Sequence, residues 1–147
     1  MIKLRNFETD DFTELRQEKY NGMSEREIKD TICKWNTKVF NGKYFEMFAI
    51  SYNECVVGTL SLFQHSDSVI SIGPEIFPKY RAKGYAKRAV ALALEICKSK
   101  GYKIAYQQIM CDNAPSIALH KSLGFETDYY RYKNEKGADV YIFLKSL

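Results

Sequence analysis

Lys79-Tyr80-Arg81-Ala82-Lys83-Gly84-Tyr85-Ala86-Lys87-Arg88 holds five cations and no acid. Its net charge is +5, in a chain of 147 residues whose formal net charge is +4. The rest of the chain carries 17 bases and 18 acids, a sum of −1. The basic excess therefore lies entirely in one segment, at a strand-to-helix junction. Before it, residues 68–77 have a strand pattern. After it, Ala86, Ala89, Val90, Ala93, Ile96 and Cys97 recur at helical spacing from about Gly84 to Lys100. A helix start exposes unpaired N–H groups and the positive end of the helix dipole, which together bind phosphate. Gly84 lets the backbone approach a ligand without a Cβ in the way. The alternative is a solvated basic face, but a glycine at the helix mouth favours the phosphate cradle. No G-x-x-x-x-G-K-[ST] or G-x-G-x-x-G occurs, so the cradle is of another kind.

Working outward, residues 2–7 alternate as a strand. Thr9-Asp10-Asp11 opens a helix that runs to about Tyr20. Asn21-Gly22 breaks it. Ser24 and Glu27 form a capping box for a second helix, with Ile28, Ile32, Trp35 and Val39 on its apolar face and Asn41-Gly42 at its end. Residues 44–51 and 54–64 read as a hairpin across Tyr52-Asn53. Strand 68–77 is interrupted by Gly73-Pro74. Gly101 stops the long helix, and 103–111 is a strand. Asn113-Ala114-Pro115-Ser116 opens a short helix ending at Gly124. Strands near 125–133 and 139–145 close the chain. This order predicts one α/β domain over residues 1–147, with a mixed sheet and about four flanking helices.

Composition sets the outer limits. A chain of this length buries roughly 68–70% of its unfolded surface, enough for a core without disulfides. Apolar content of 46% and charged content of 27% argue against disorder. No run approaches 18 apolar residues, and Met1-Ile2-Lys3-Leu4-Arg5 is no signal peptide, so a cytoplasmic protein with no membrane partner is expected. Cys33, Cys55, Cys97 and Cys111 form no C-x-x-C pair and the only histidines are His65 and His120, so no metal site is expected. Nucleic acid is also not expected as a partner, because one five-cation loop is a small footprint.

Arg81-Ala82-Lys83-Gly84-Tyr85-Ala86 resembles the Gln/Arg-x-x-Gly-x-Gly/Ala signature of the GNAT N-acetyltransferase superfamily. Asn113 to Phe125, Asn-Ala-Pro-Ser-Ile-Ala-Leu-His-Lys-Ser-Leu-Gly-Phe, resembles its second signature, Asn…Ala-x-x-Leu-Tyr-x-x-x-Gly-Phe. The element order matches over essentially the whole chain. The resemblance implies a mostly antiparallel sheet in which two parallel strands, 68–77 and 103–111, splay apart to admit acetyl-CoA as co-substrate. Backbone at Ile76 and Phe77 would then bond the pantetheine arm. Arg81, Ala82, Lys83, Gly84, Tyr85, Ala86 and Lys87 would hold the pyrophosphate. Asn113 matches a cofactor-contacting position. Ser116 is either a second contact or the helix cap.

His120 departs from the family's tyrosine, which acts as the acid on the leaving thiolate. A histidine with an unperturbed pKa of about 6.5 can donate a proton too. Some family members carry a glutamate base where this chain has Gln108, which cannot be a base. Glu75, the carboxylate nearest the cofactor segment in sequence, is the candidate here, with Gly73-Pro74 as a bulge that aims it, and a water chain is the alternative. The acceptor amine would sit between the loop Tyr20-Asn21-Gly22-Met23 and the loop at 133–138, with Tyr129, Tyr130 and Tyr132 nearby. The expected activity is acetyl transfer to a primary amine of a small molecule or peptide by direct attack, from a monomer or homodimer. The missing tyrosine and glutamate leave a second reading, a catalytically silent acetyl-CoA-binding module.

Overall fold

A computed structural model describes residues 1–147. Its elements are β1 (Ile2–Asn6), α1 (Phe12–Glu18), α2 (Glu25–Trp35), β2 (Val39–Phe40), β3 (Lys43–Tyr52), β4 (Cys55–Gln64), β5 (Val69–Ile76), α3 (Tyr85–Ser99), β6 (Ile104–Met110), α4 (Ala114–Ser122), β7 (Tyr132–Lys133) and β8 (Asp139–Ser146). One sheet takes them in the order β1-β3-β4-β5-β6-β8-β7, with β2 added to β3. All pairings are antiparallel except β5 with β6. No helix is long and apolar enough to cross a membrane.

Two cores lie on opposite faces of this sheet. Ala89, Val90, Ala93, Leu94 and Cys97 of α3 pack on Phe48, Ile50, Leu60, Leu62, Ile70 and Ile72 of the strands. Leu15 of α1 and Ile28 and Ile32 of α2 pack with Phe7, Ala49, Val56 and Phe77 on the other face. Strand alternation explains the division, because i and i+2 share a face. The predicted capping box at α2 is present, with Ser24 and Glu27 bonding each other's backbone N–H at 3.1 and 3.2 Å.

The sequence expectations need three corrections. Helix α2 stops at Trp35 rather than reaching Val39, because Lys38 and Asn41 adopt positive φ and turn the chain into the β2–β3 hairpin. Residues 125–133 form no full strand; only Glu126 bridges to Leu144, and Tyr132-Lys133 pair with β8. Gly73-Pro74 neither interrupts β5 nor bulges, since its register with β4 is continuous from Gly58↔Ile76 to Gln64↔Ile70. The register shift lies between β3 and β4, at Ile50/Ser51.

The parallel pairing of β5 with β6 covers only Val69↔Ile104, Ile70↔Ala105 and Ser71↔Tyr106. Beyond Ser71 both strands continue without each other. The Phe77 N–H donates to the Val57 carbonyl at 2.9 Å. Alternation then turns the polar groups of Ile76 and Pro74 the other way, toward the gap. A proline is tolerated there because its missing N–H faces an unpaired side of the strand.

Candidate active site

A cleft of about 850 Å³ opens where the gap meets the start of α3. Pro74, Glu75 and Ile76 of β5 form one wall, Tyr80 to Lys87 the mouth, and Asn113, Ser116 and His120 with their α4 neighbours the other wall. Of the catalytic and cofactor-contacting residues expected from sequence, only Phe77 is missing from its lining. Phe77 is fully buried in the core beneath α1 and α2, and its amide is engaged by β4. The strand contact expected of Ile76 and Phe77 therefore falls to Ile76 alone.

The mouth is shaped by backbone. Gly84 is the N-cap of α3, at φ +79° and ψ +10°, and no side chain caps the helix. Its first amides thus lack internal partners and face an opening. Ala82 also has positive φ, +63°, a conformation non-glycine residues rarely adopt. Alternating backbone handedness of this kind makes a nest of N–H groups suited to an anion. A Cβ at Gly84 would meet nothing within 4 Å, so its conformation, not crowding within the chain, requires the glycine. Tyr85 stacks on Tyr52 of β3 with ring centroids 4.9 Å apart, which fixes the first turn of α3 against the sheet.

The basic cluster is not uniform. Lys79 pairs with Glu18 of α1 at 3.0 Å and does not line the cleft. The Arg81 Nε–H donates to the Ile76 carbonyl at 3.0 Å, tying the loop to the strand end. Lys83 and Lys87 line the cleft without an ion-pair partner. The cleft thus offers unpaired amides and cations to a polyphosphate, and the residues present fit acetyl-CoA.

Asn113, not Ser116, caps α4: its Oδ1 accepts from the Ser116 N–H at 3.2 Å. Of the two roles expected of Ser116, the cap is excluded. His120 is 2% exposed, with its ring edge-on to Phe125 at 5.0 Å. Its Nδ1 lies 2.8 Å from the Ser116 carbonyl, which can only accept, so Nδ1 carries the hydrogen of the neutral ring. Nε2 is then a buried lone pair, and it has no partner. Burial pushes the pKa below its ordinary 6.5, only partly opposed by the Ser116 bond. The neutral ring thus turns Nε2 into a hydrogen-bond acceptor at the cleft wall. Glu75, the expected base, is held by Lys19 of α1 at 2.7 Å.

A second cleft, about 530 Å³, lies on the opposite face of the sheet, where α1 and α2 leave the strands uncovered. Ser61 of β4, Ser71 and Gly73 of β5, Tyr106, Gln107 and Gln108 of β6, His65 and the loop Asn134-Glu135-Lys136 line it. The expected loop at 133–138 is here. The other expected acceptor elements are not. Tyr20 packs on Trp35, Tyr129 on Tyr141, and Tyr130 on Tyr132. Sequence reasoning missed Ser61, His65, Ser71 and Tyr106. The available signal was alternation: Ser61, Ser71 and Gly73 place polar or small residues on the face their neighbours Leu62, Ile70 and Ile72 do not use. The two clefts are adjacent along β5, one lined by Gly73 and the other by Pro74.

No curated protein matches the chain in sequence. Solved structures match its fold. RimJ of Mycobacterium smegmatis, in complex with a CoA-disulfide, superposes with a TM-score of 0.82 at 17% identity, over 99% of this chain and 81% of that one. The spermidine N-acetyltransferase of Vibrio cholerae, a dodecamer, gives 0.79 at 16% identity, over 99% and 93%. The microcin C7 self-immunity acetyltransferase MccE, bound to acetyl-CoA and AMP, gives 0.80 at 21% identity, over 99% and 92%. The family model for acetyltransferases of the GNAT type matches residues 4–125, which include the splayed strands, the helix mouth and α4. The chain therefore belongs to the acetyltransferase (GNAT) family, and its co-substrate is acetyl-CoA.

Proposed function

We propose that this domain, residues 1–147, transfers acetyl from acetyl-CoA to a primary amine of a peptide or small molecule by direct attack on the thioester. The observation that carries this reading is that the two clefts, on opposite faces of the sheet, are lined by consecutive residues of β5, Gly73 and Pro74, beside the gap between β5 and β6. The cofactor side binds a polyphosphate through the amides of Ala82 to Lys87 and the cations Arg81, Lys83 and Lys87. The Ile76 N–H, turned into the gap, bonds the pantetheine arm, with Asn113 and Ser116 across the cleft. The amine enters from the other face.

Direct attack is supported by where the thiols lie. Cys97 of α3 is buried in the core, where burial pushes its pKa up to about 12, Cys33 and Cys55 are exposed elsewhere, and the half-buried Cys111 lines neither cleft. Four free cysteines also suit a reducing compartment, and the activity is assigned to the cytoplasm. The lining of the polar cleft is mainly hydroxyls and amides, with Glu135 and Lys136 of opposite charge. That chemistry favours a peptide-like acceptor over a polycation, which needs a row of carboxylates. In this reading Glu75 latches α1 to β5, and His120 offers a hydrogen-bond acceptor rather than a proton.

The test is thiol release from acetyl-CoA with a short peptide bearing a free N-terminal amine, with spermidine and with an amino sugar. Release with the peptide supports the proposal. Tight acetyl-CoA binding with no release from any amine overturns it in favour of a silent binding module.

A further inference from the structure

The acetyl-transfer reading requires something to remove a proton from the amine, and this inference rests on that reading. A lysine-type amine of pKa ~10.4 is neutral about once in 2,500 molecules at pH 7, and an α-amine of pKa ~7.8 about one time in seven. Gln108 cannot accept that proton, and Glu75 is occupied by Lys19. The polar cleft holds another group. His65 opens the turn between β4 and β5, and its Nε2 is hydrogen-bonded to the Ser71 hydroxyl.

We propose that His65, acting through the Ser71 hydroxyl, accepts the proton of the attacking amine. Three features of the geometry place it there. Ser71↔Tyr106 is the last pair before β5 and β6 part, so Ser71 stands at the apex of the gap with its side chain lining the polar cleft. Ile76, beside the helix mouth, is five residues further along β5, about 17 Å at 3.3–3.4 Å per residue, a span for an extended pantetheine arm. The Gln108 amide donates to the Tyr106 hydroxyl at 2.8 Å, and the Tyr106 ring meets His65 edge-on at 5.0 Å. The histidine thus shares the cleft with the amide that stands where other family members have their carboxylate.

The groups facing His65 are Lys43 of β3, whose ammonium donates to the His65 carbonyl at 2.8 Å, Tyr106 of β6, and Glu135 and Lys136 across the cleft. Partial burial, with Lys43 adding to it, lowers the pKa of His65 from its ordinary 6.5, so the ring is a neutral acceptor at pH 7. As the amine nitrogen bonds the thioester carbon, its proton moves to the Ser71 oxygen and the Ser71 proton moves to Nε2. The C–S bond then breaks and CoA leaves as the thiolate. His65 is exposed, so its imidazolium discharges the proton to water.

The experiment compares wild type with His65→Gln and Ser71→Ala, reading kcat for thiol release at saturating peptide amine from pH 5 to 9. General-base loss lowers kcat by about 100-fold or more. His65→Gln should show that fall and lose the acidic limb of the wild-type profile, with acetyl-CoA affinity unchanged by calorimetry. Ser71→Ala should fall in the same direction. In His65→Gly, added imidazole should restore rate, which a merely structural role would not allow. An active wild type whose His65→Gln keeps both its rate and its acidic limb overturns the base assignment alone. A wild type that releases no thiol with any amine overturns this assignment together with the reading beneath it.

Discussion

The cofactor cleft is lined by nearly continuous chain, Pro74–Ile76 with Tyr80–Lys87, faced by a single helix. The polar cleft gathers Ser61, His65, Ser71, Tyr106 and Asn134 from three strands, a turn and a loop. One binds through backbone amides at a helix start, a device any side chains tolerate provided Gly84 holds its left-handed turn. The other binds only through side chains that the sheet happens to bring together. A pyrophosphate is the same for every acyl-CoA, so a local backbone device serves it. In the proposed reading the acceptor lies in the polar cleft, on a sheet face that no helix covers.

The largest effect that would break this contrast is expected at Gly84. Gly84→Asp places a carboxylate at a helix start, where the helix dipole favours it. Aspartate also tolerates positive φ better than most residues. The same carboxylate repels the anion the mouth should hold. At about 4 Å and partial burial such repulsion is worth ~4 kcal/mol, so acetyl-CoA affinity should fall roughly 100-fold or more, far beyond the modest fall in melting temperature that the left-handed φ of +79° imposes on a side chain. Calorimetric titration beside a thermal melt decides it. Unchanged affinity would place the pyrophosphate elsewhere.

Gly58 tests the scaffold common to both clefts. A Cβ there would overlap the Glu75 carbonyl and lie 3.0 Å from the Ile76 Cα, both backbone atoms that cannot rotate away. Gly58→Ala should cost about 1–3 kcal/mol by overpacking and shift β5 beside both clefts. Gly22→Ala is the control, because a Cβ there meets nothing within 4 Å. Equal melting temperatures for the two variants would contradict the close approach of β4 and β5.

What could be read in advance divides along the same line. The strand-helix order, the capping box of α2, the mouth at Gly84 and the second signature at Asn113–Phe125 are local patterns, and all the catalytic and cofactor-contacting residues expected from sequence except Phe77 line one cleft, while the expected acceptor residues do not. Phe77 was missed because strand alternation, not proximity to the motif, decides which amide faces the gap. The polar cleft was not legible, since Ser61, Ser71 and Tyr106 become neighbours only through sheet register. The tautomer of His120 was equally hidden. It depends on a carbonyl one helical turn back, and a sequence shows only the residue type.

His120 makes a pH prediction with a definite sign. Its folded pKa is lowered, chiefly by burial, so the unfolded chain binds the proton more readily. Stability from this group is present above the unfolded value of 6.5 and is lost as pH falls through and below it. His65 acts in the same direction. His120→Gln removes one of the two contributions, so the slope of unfolding free energy between pH 7 and 5 should become shallower. Denaturant melts at several pH values measure it, and an unchanged slope would mean that His120 protonates equally in both states.

The smallest effects separate cations that look alike in sequence. Lys83→Ala and Lys87→Ala each remove a lining charge without an ion-pair partner and should weaken acetyl-CoA binding by about two- to fivefold. That loss should shrink as salt rises, because the contacts are partly exposed. Lys79 belongs to the same run of ten residues, but its ammonium is on Glu18. Lys79→Ala should leave acetyl-CoA affinity and its salt dependence unchanged. A fivefold loss at Lys79 would mean that the charge run acts as one undivided field, and the assignment of the cradle to particular amides and particular lysines would fail with it.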